Sequence, residues 1–222
     1  MVNQKRAKER QLRETGMIKA AETVFCRNGY EAASMDEIAK AAQVTKRTLY
    51  QYFESKDELF CSVVLKGYEL LASKQESAKK YQKSGYEKVE CAINCYYEFY
   101  GDCPDLSHLM SSWGHVSKQS ECTGHWKEAL TAFFNKLIQD VKSDLEAGKF
   151  DGSIQPDVDS QKIACSFVFL MDGFFHQLSL SGEIMIRDSF TDAESFSCYI
   201  TDLLLKTIKR NRSILVTRKG TV

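Results

Sequence analysis

Between Thr45 and Tyr52 the chain reads TKRTLYQY, and every side chain there except Leu49 can donate a hydrogen bond. Lys46 and Arg47 add positive charge, and the flat fork of Arg47 matches the O6 and N7 edge of guanine. Thr48 can meet a thymine methyl or a phosphate, while Tyr50 and Tyr52 can hold phosphates through their hydroxyls. Ser34 and Lys56 precede or begin the flanking helices, where free backbone N–H groups suit a phosphate. Together Ser34, Thr45, Lys46, Arg47, Thr48, Tyr50, Tyr52 and Lys56 form the candidate contact set for double-stranded DNA. The plain alternative is a solvated helix face.

A second group is aromatic and sulfur-rich: Tyr96, Tyr100, Met110, Trp113, Phe134, Phe167, Met171, Phe174 and Phe175. Such side chains can line a cavity for an apolar, aromatic or cationic small molecule, since ring faces attract cations. At helical spacing they also read as ordinary core. A third group, Cys91, Cys95, Cys103, His108, His115, Cys122 and His125, offers thiols and imidazoles of the kind that suit zinc or copper(I). Its spacings match no compact metal motif, so a metal- or thiol-sensing role is the lesser reading. A nucleophilic cysteine with a histidine base finds no support in its sequence contexts. With no Gly-rich phosphate loop and no distinctive carboxylate pair, the chain is read as a non-enzyme without a cofactor or metal.

The elements that must position these residues are helices. Pro104 and Pro156 are the only prolines among 222 residues, and alternating strand-like runs are missing, which points to an all-α fold. The spacing predicts a first helix over about Arg10–Arg27, stopped by Asn28-Gly29, with Lys5, Arg6 and Lys8 before it as a basic arm or tail. Ser34-x-x-Glu37 reads as a capping box opening a second helix, Gln43-Val44 as a turn, and Thr45 as the cap of a third. Ser55-x-x-Glu58 repeats the box and opens a long fourth helix, expected to fade into a loop over Ser73–Ser84. A fifth helix carries Val89 to Tyr100, and a short one spans Pro104–Ser112. After a loop over Gly114–Gly124, another runs from Trp126 to a stop at Gly148. Asp159 then caps a helix apolar nearly all round, read as buried on every side, and a last helix covers about Thr191–Arg210.

Formal net charge is +0, so the whole chain is not a general nucleic-acid coater, although both ends carry basic clusters. No apolar run approaches the roughly 20 residues of a membrane span, and no signal-like segment follows the early basic residues. Eight scattered cysteines in such a chain read as reduced and mostly buried, in a cytoplasmic protein.

The order Ile18, Ala21, Phe25, Gly29-Tyr30, Asp36-Glu37-Ile38-Ala39, Ala42-x-Val44, Thr48-Leu49-Tyr50-x-Tyr52-Phe53 and Ser55-Lys56-Asp57-Glu58-Leu59 resembles the TetR family of bacterial one-component transcriptional repressors. A looser likeness joins Glu146-Ala147-Gly148, Asp159 and Asp172-Gly173. The resemblance implies a three-helix helix-turn-helix domain over 1–55 and a larger ligand-binding and dimerisation domain over 56–222, about nine helices in all. It implies a homodimer joined through the last two long helices, operator DNA as partner, and release by a small-molecule effector. One departure stands in the turn, where the family usually has glycine and this chain has Gln43.

Overall fold

The computed structural model describes residues 2–114, 116, 125–186 and 192–210, and among these the regular elements are all helices. In chain order they are α1 (Val2–Ala32), α2 (Met35–Ala41), α3 (Lys46–Tyr50), α4 (Lys56–Lys79), α5 (Gly85–Asp102), α6 (Pro104–Ser111), α7 (His125–Asp151), α8 (Ser160–Ile186) and α9 (Ala193–Lys206). The loop expected over Gly114–Gly124, the basic tail beyond Arg210 and Thr191 lie largely outside the described residues.

The head packs α1, α2 and α3 onto the first half of α4. Met17, Ile18, Ala21, Val24 and Phe25 of α1 meet Ile38, Leu49, Phe53, Leu59 and Phe60, all buried. Phe25 and Phe60 lie edge to face at 5.5 Å. The basic run before Arg10, expected as an arm or tail, is helical from Val2. Strong helix formers fill that run, and the first glycine comes only at Gly16. Gly29 ends the regular part of α1 with φ 74°.

Helix α4 corrects the expected loop over Ser73–Ser84 by running to Lys79. Its polar second half is stitched into the bundle. Lys79 pairs with Asp144 of α7 at 2.5 Å with both side chains largely buried. Gln75 donates to the Ala92 carbonyl of α5 at 2.8 Å, and Lys74 reaches Glu98 and Asp102. Ser55 caps α4 by accepting from the Glu58 N–H at 3.1 Å, but the Glu58 carboxylate takes the Glu54 N–H instead, so that box is half formed. A complete box, unforeseen in the sequence, opens α5 at Ser84 and Glu87.

Gly148 is not a helix stop. It sits inside α7, where a Cβ on Gly85 would lie 2.1 Å from its backbone nitrogen. This pair of glycines lets the start of α5 lie against the α7 backbone. The stop is Gly152, at φ 79°.

Helices α5, α7, α8 and α9 enclose a second core around Ile93, Leu145, Phe167, Met171, Phe175 and Leu205. Helix α8 is not buried on every side: Phe169 is 73% exposed and Leu170 51%, and on α9 Tyr199 is 55% and Leu203 50% exposed. Helix α8 thus turns one apolar face to the core and leaves another exposed.

Substituting Gly85→Ala forces backbone against backbone and should destabilise the fold by about 1–3 kcal/mol. Gly16→Ala, with open space around it, should instead stabilise by up to about 1 kcal/mol. Denaturant midpoints that move in the same direction for both variants would contradict this packing.

Candidate nucleic-acid interface and effector cavity

The helix-turn-helix is built by local caps. Ser34 accepts from the Glu37 N–H while the Glu37 carboxylate takes the Ser34 N–H at 3.1 Å. Helix α2 ends in a paired motif: the Val44 N–H reaches the Ala39 carbonyl (3.0 Å) and the Gln43 N–H the Lys40 carbonyl (3.1 Å). That closure needs a left-handed residue between helix and exit. Gln43 supplies it at φ 56°, the single positive φ outside glycine among the described residues. The turn therefore carries strain at Gln43 on the order of 1 kcal/mol.

Thr45 caps α3 by accepting from the Thr48 N–H at 3.0 Å, and the two threonine hydroxyls share a 2.8 Å hydrogen bond. Helix α3 covers Lys46–Tyr50, shorter than the expected Thr45–Tyr52, with Leu49 fully buried beneath it. Lys46, Arg47, Tyr50 and Gln51 are exposed on its outer side and Thr48 is half-buried. Lys46 pairs with Asp36 at 2.6 Å, which raises the lysine pKa above its ordinary value. Both groups are well exposed, so a phosphate can take the place of Asp36 at small cost. Tyr52 is half-buried under the Arg10 guanidinium, 5.3 Å from its ring. Arg10 and Gln51 therefore join the exposed surface around α3, and nothing in the local pattern marked Arg10 as a neighbour.

Lys56 has a different part from the phosphate contact expected of it. Its ammonium donates to the carbonyls of Tyr30 (2.9 Å), Glu31 (3.2 Å) and Ala33 (3.2 Å) and lies 4.3 Å over the Tyr30 ring. An ammonium has three donors, so none remains for DNA. Tyr30 in turn donates to Asp57. Lys56 clamps the end of α1 to the start of α4.

Among the described residues, two larger clefts, of about 280 and 340 Å³, border Lys74, and two small cavities lie between helices of the larger part of the chain. One, about 30 Å³, is walled by Ile93 and Tyr96 of α5, Val141 of α7, and Phe167 and Met171 of α8. The other, about 20 Å³, is walled by Tyr68, Tyr96, Tyr100, Met110, Asp172 and Phe175. Tyr96 belongs to both. Of the expected lining residues, Trp113, Phe134 and Phe174 border neither. Trp113 packs half-buried on the head core, Phe134 lies edge to face on Tyr68 at 4.8 Å, and Phe174 fills space between Phe175 and Phe196.

Sequence reasoning passed over Tyr68 and Asp172 as wall residues. The signal was available in the run CSFVFLMDGFF, where Asp172 is the lone charge. The Tyr68 hydroxyl donates to Asp172 at 2.5 Å. Burial raises the Asp172 pKa, opposed by the Tyr68 hydrogen bond and by His176. The Tyr96 hydroxyl is buried beside that of Tyr68, whose proton is committed to Asp172.

Among the described residues no three His, Cys, Asp or Glu side chains come together as a metal site, and His115 and Cys122 lie outside them. Of the seven described cysteines, none of them in a disulfide, Cys61 and Cys95 are buried, four are half-buried and Cys198 is exposed, so "mostly buried" overstated them. Burial, with its neighbour Cys91 adding to it, pushes the Cys95 thiol up to about 11, and burial does the same to Cys26. Neither is a thiolate at neutral pH.

A family profile described as bacterial regulatory proteins, tetR family, matches residues 17–63. The HTH-type transcriptional activator FasR of Mycolicibacterium smegmatis is 38% identical over 80 residues, a stretch that spans 36% of either chain. The similarity to FasR thus covers about a third of that protein's length. Among solved structures, FadR from Bacillus subtilis in complex with stearoyl-CoA has a TM-score of 0.66 at 19% identity, covering 86% of this chain and 97% of that one. AibR in complex with isovaleryl coenzyme A and operator DNA has a TM-score of 0.62 at 20% identity, covering 87% and 98%. At these identities the structures speak to the fold.

Arg47→Ala should weaken binding to a specific DNA site by about 1–3 kcal/mol. Lys56→Met should lower the unfolding midpoint and leave the salt dependence of DNA binding intact. If Lys56→Met instead reduces the salt slope by about one unit while Arg47→Ala binds unchanged, the two assignments are reversed.

Proposed function

We propose that this chain, which belongs to the TetR family of bacterial regulatory proteins, is a transcriptional repressor that binds operator DNA as a homodimer. Residues 1–55 read the DNA and residues 56–222 dimerise and take a small-molecule effector that releases it. Lys46, Arg47, Thr48 and Tyr50 face the major groove and its phosphates. Ser34, Thr45 and Tyr52 fix the pose of α3, and Arg10 adds charge beside Tyr52. The protein works where the DNA is, in the cytoplasm. Among the described residues no helix is long and apolar enough to cross a membrane.

The observation that carries this reading is the continuity of α4. Leu59 and Phe60 belong to the head core, while Tyr68 walls the smaller cavity and Gln75 the larger. An occupant that moves Tyr68 moves the helix on which the head is built. Ligand and DNA then favour different states, and each weakens the other's binding by the same factor.

Dimerisation is supported by Phe169 and Leu170 on α8 and Tyr199 and Leu203 on α9, four large apolar side chains at least half exposed in the single chain. A second copy that covers them would set two α3 helices roughly 34–36 Å apart, one turn of DNA. The effector is read as apolar or aromatic. FadR and AibR hold acyl-CoA molecules, but the walls of the two small cavities here include no lysine or arginine for phosphates.

The purified protein should bind the DNA upstream of its own gene and protect two half-sites. The double variant F169E/L203E should sediment as a monomer and lose most operator affinity. A variant that remains dimeric and bound would exclude α8 and α9 as the interface.

A further inference from the structure

The smaller cavity has a chemistry that the apolar reading of the effector leaves unused. Its wall is largely rings: Tyr96 stacks on Phe175 at 5.4 Å, Tyr100 meets the same ring at 5.4 Å, and Tyr68 closes another side. Asp172 stands among them as the one acid in that wall, with no lysine or arginine beside it. The groups that face the carboxylate are the Tyr68 hydroxyl and His176, one turn further along α8. A carboxylate has about four acceptor positions, so one tyrosine leaves it under-used. The Tyr96 hydroxyl is buried beside that of Tyr68, whose single proton goes to Asp172, so the Tyr96 oxygen receives none from it. A Tyr–Asp pair inside a core is ordinary when every group is satisfied. Here the Tyr96 and Ser107 hydroxyls of the wall lack a well-formed hydrogen bond, and no lysine or arginine of the wall faces the carboxylate.

Resting on the regulator reading, we propose that the effector is an organic amine whose protonated nitrogen binds Asp172 and the Tyr96 hydroxyl within the Tyr68, Tyr100 and Phe175 rings. Ring faces attract the ammonium, Asp172 neutralises it, and its N–H groups supply the donor that Tyr96 lacks. The apolar body extends past Tyr96 toward Phe167 and Met171 in the larger cavity. The two spaces, about 20 and 30 Å³, admit no such molecule as they stand, so binding must widen them. Met110 is the side chain that gives. It is unbranched and flexible, and its sulfur lies against Gly67 of α4, where an added Cβ would be 2.5 Å away. Displacing it acts directly on the helix that carries the head.

Two sets of probes with constant bodies test this on the full-length protein: 4-phenylbutylamine and hexylamine, each with its matching alcohol and carboxylate. Thermal unfolding reads binding, and a mobility shift on the upstream DNA reads release. At least one amine should raise Tm and release DNA at concentrations at least tenfold below those its alcohol and carboxylate require. D172N should erase that preference, and Y96F should weaken amine binding several-fold. Carboxylates that bind as well as amines, a D172N variant that keeps the preference, or a protein that binds operator yet ignores both amines would overturn the proposal. If D172N does not fold, amine against carboxylate on the wild-type chain decides alone. A protein that binds no upstream DNA overturns the regulator reading instead, whatever the amines do.

Discussion

One helix in this molecule runs from the head core to the walls of both small cavities. Helix α4, 24 residues long and about 36 Å from end to end, starts under the head and ends against α7. Leu59 and Phe60 close the head core, Tyr68 and Gln75 face the cavities, and the largely buried Lys79–Asp144 pair fixes its far end. Packed interiors respond to a local change by shifting whole elements. In the proposed reading, a side chain displaced near Tyr68 would move α4, and α3 with it, because Leu49 and Phe53 rest on the same core as Phe60. The Lys56 clamp on the end of α1 makes the head turn as a unit with α4.

The charged groups divide by how they are held. Lys46 and Asp36 are exposed partners, and such pairs contribute about 0–1 kcal/mol, so the pair is easily exchanged for a phosphate. Lys56 has all its donors committed to carbonyls inside the head, and exchanging those would uncap α1. Asp172 stands at the other extreme, a carboxylate in an aromatic wall whose burial raises its pKa. The first suits contact with DNA, the second rigidity, the third selection of a ligand.

Much of this was legible in the sequence, because caps and turns are local. Ser34 with Glu37, Thr45 before Lys46, and the strain at Gln43 follow from residues within four positions of one another. Ser84 with Glu87 carried the same signature and was obscured by the polar run before it. What stayed hidden depended on distant partners. Gly148 has the look of a helix stop until Gly85 is laid against it. Lys56 resembles a phosphate contact until the carbonyls of Tyr30, Glu31 and Ala33 come within reach. Helix α8 reads as buried all round, because periodicity cannot tell an inward apolar face from one left exposed. Among the aromatic residues, spacing alone could not separate Tyr96 and Phe175, which wall a cavity, from Phe134 and Phe174, which fill space.

The proposed coupling through α4 is open to direct measurement by amide hydrogen exchange on the protein, free and saturated with operator. DNA held at α3 should alter exchange along residues 56–79 and in the cavity walls of α5 and α8, far from any nucleotide. A change confined to residues 34–56 would show that head and cavity move independently, and would contradict the shared helix as the link between them.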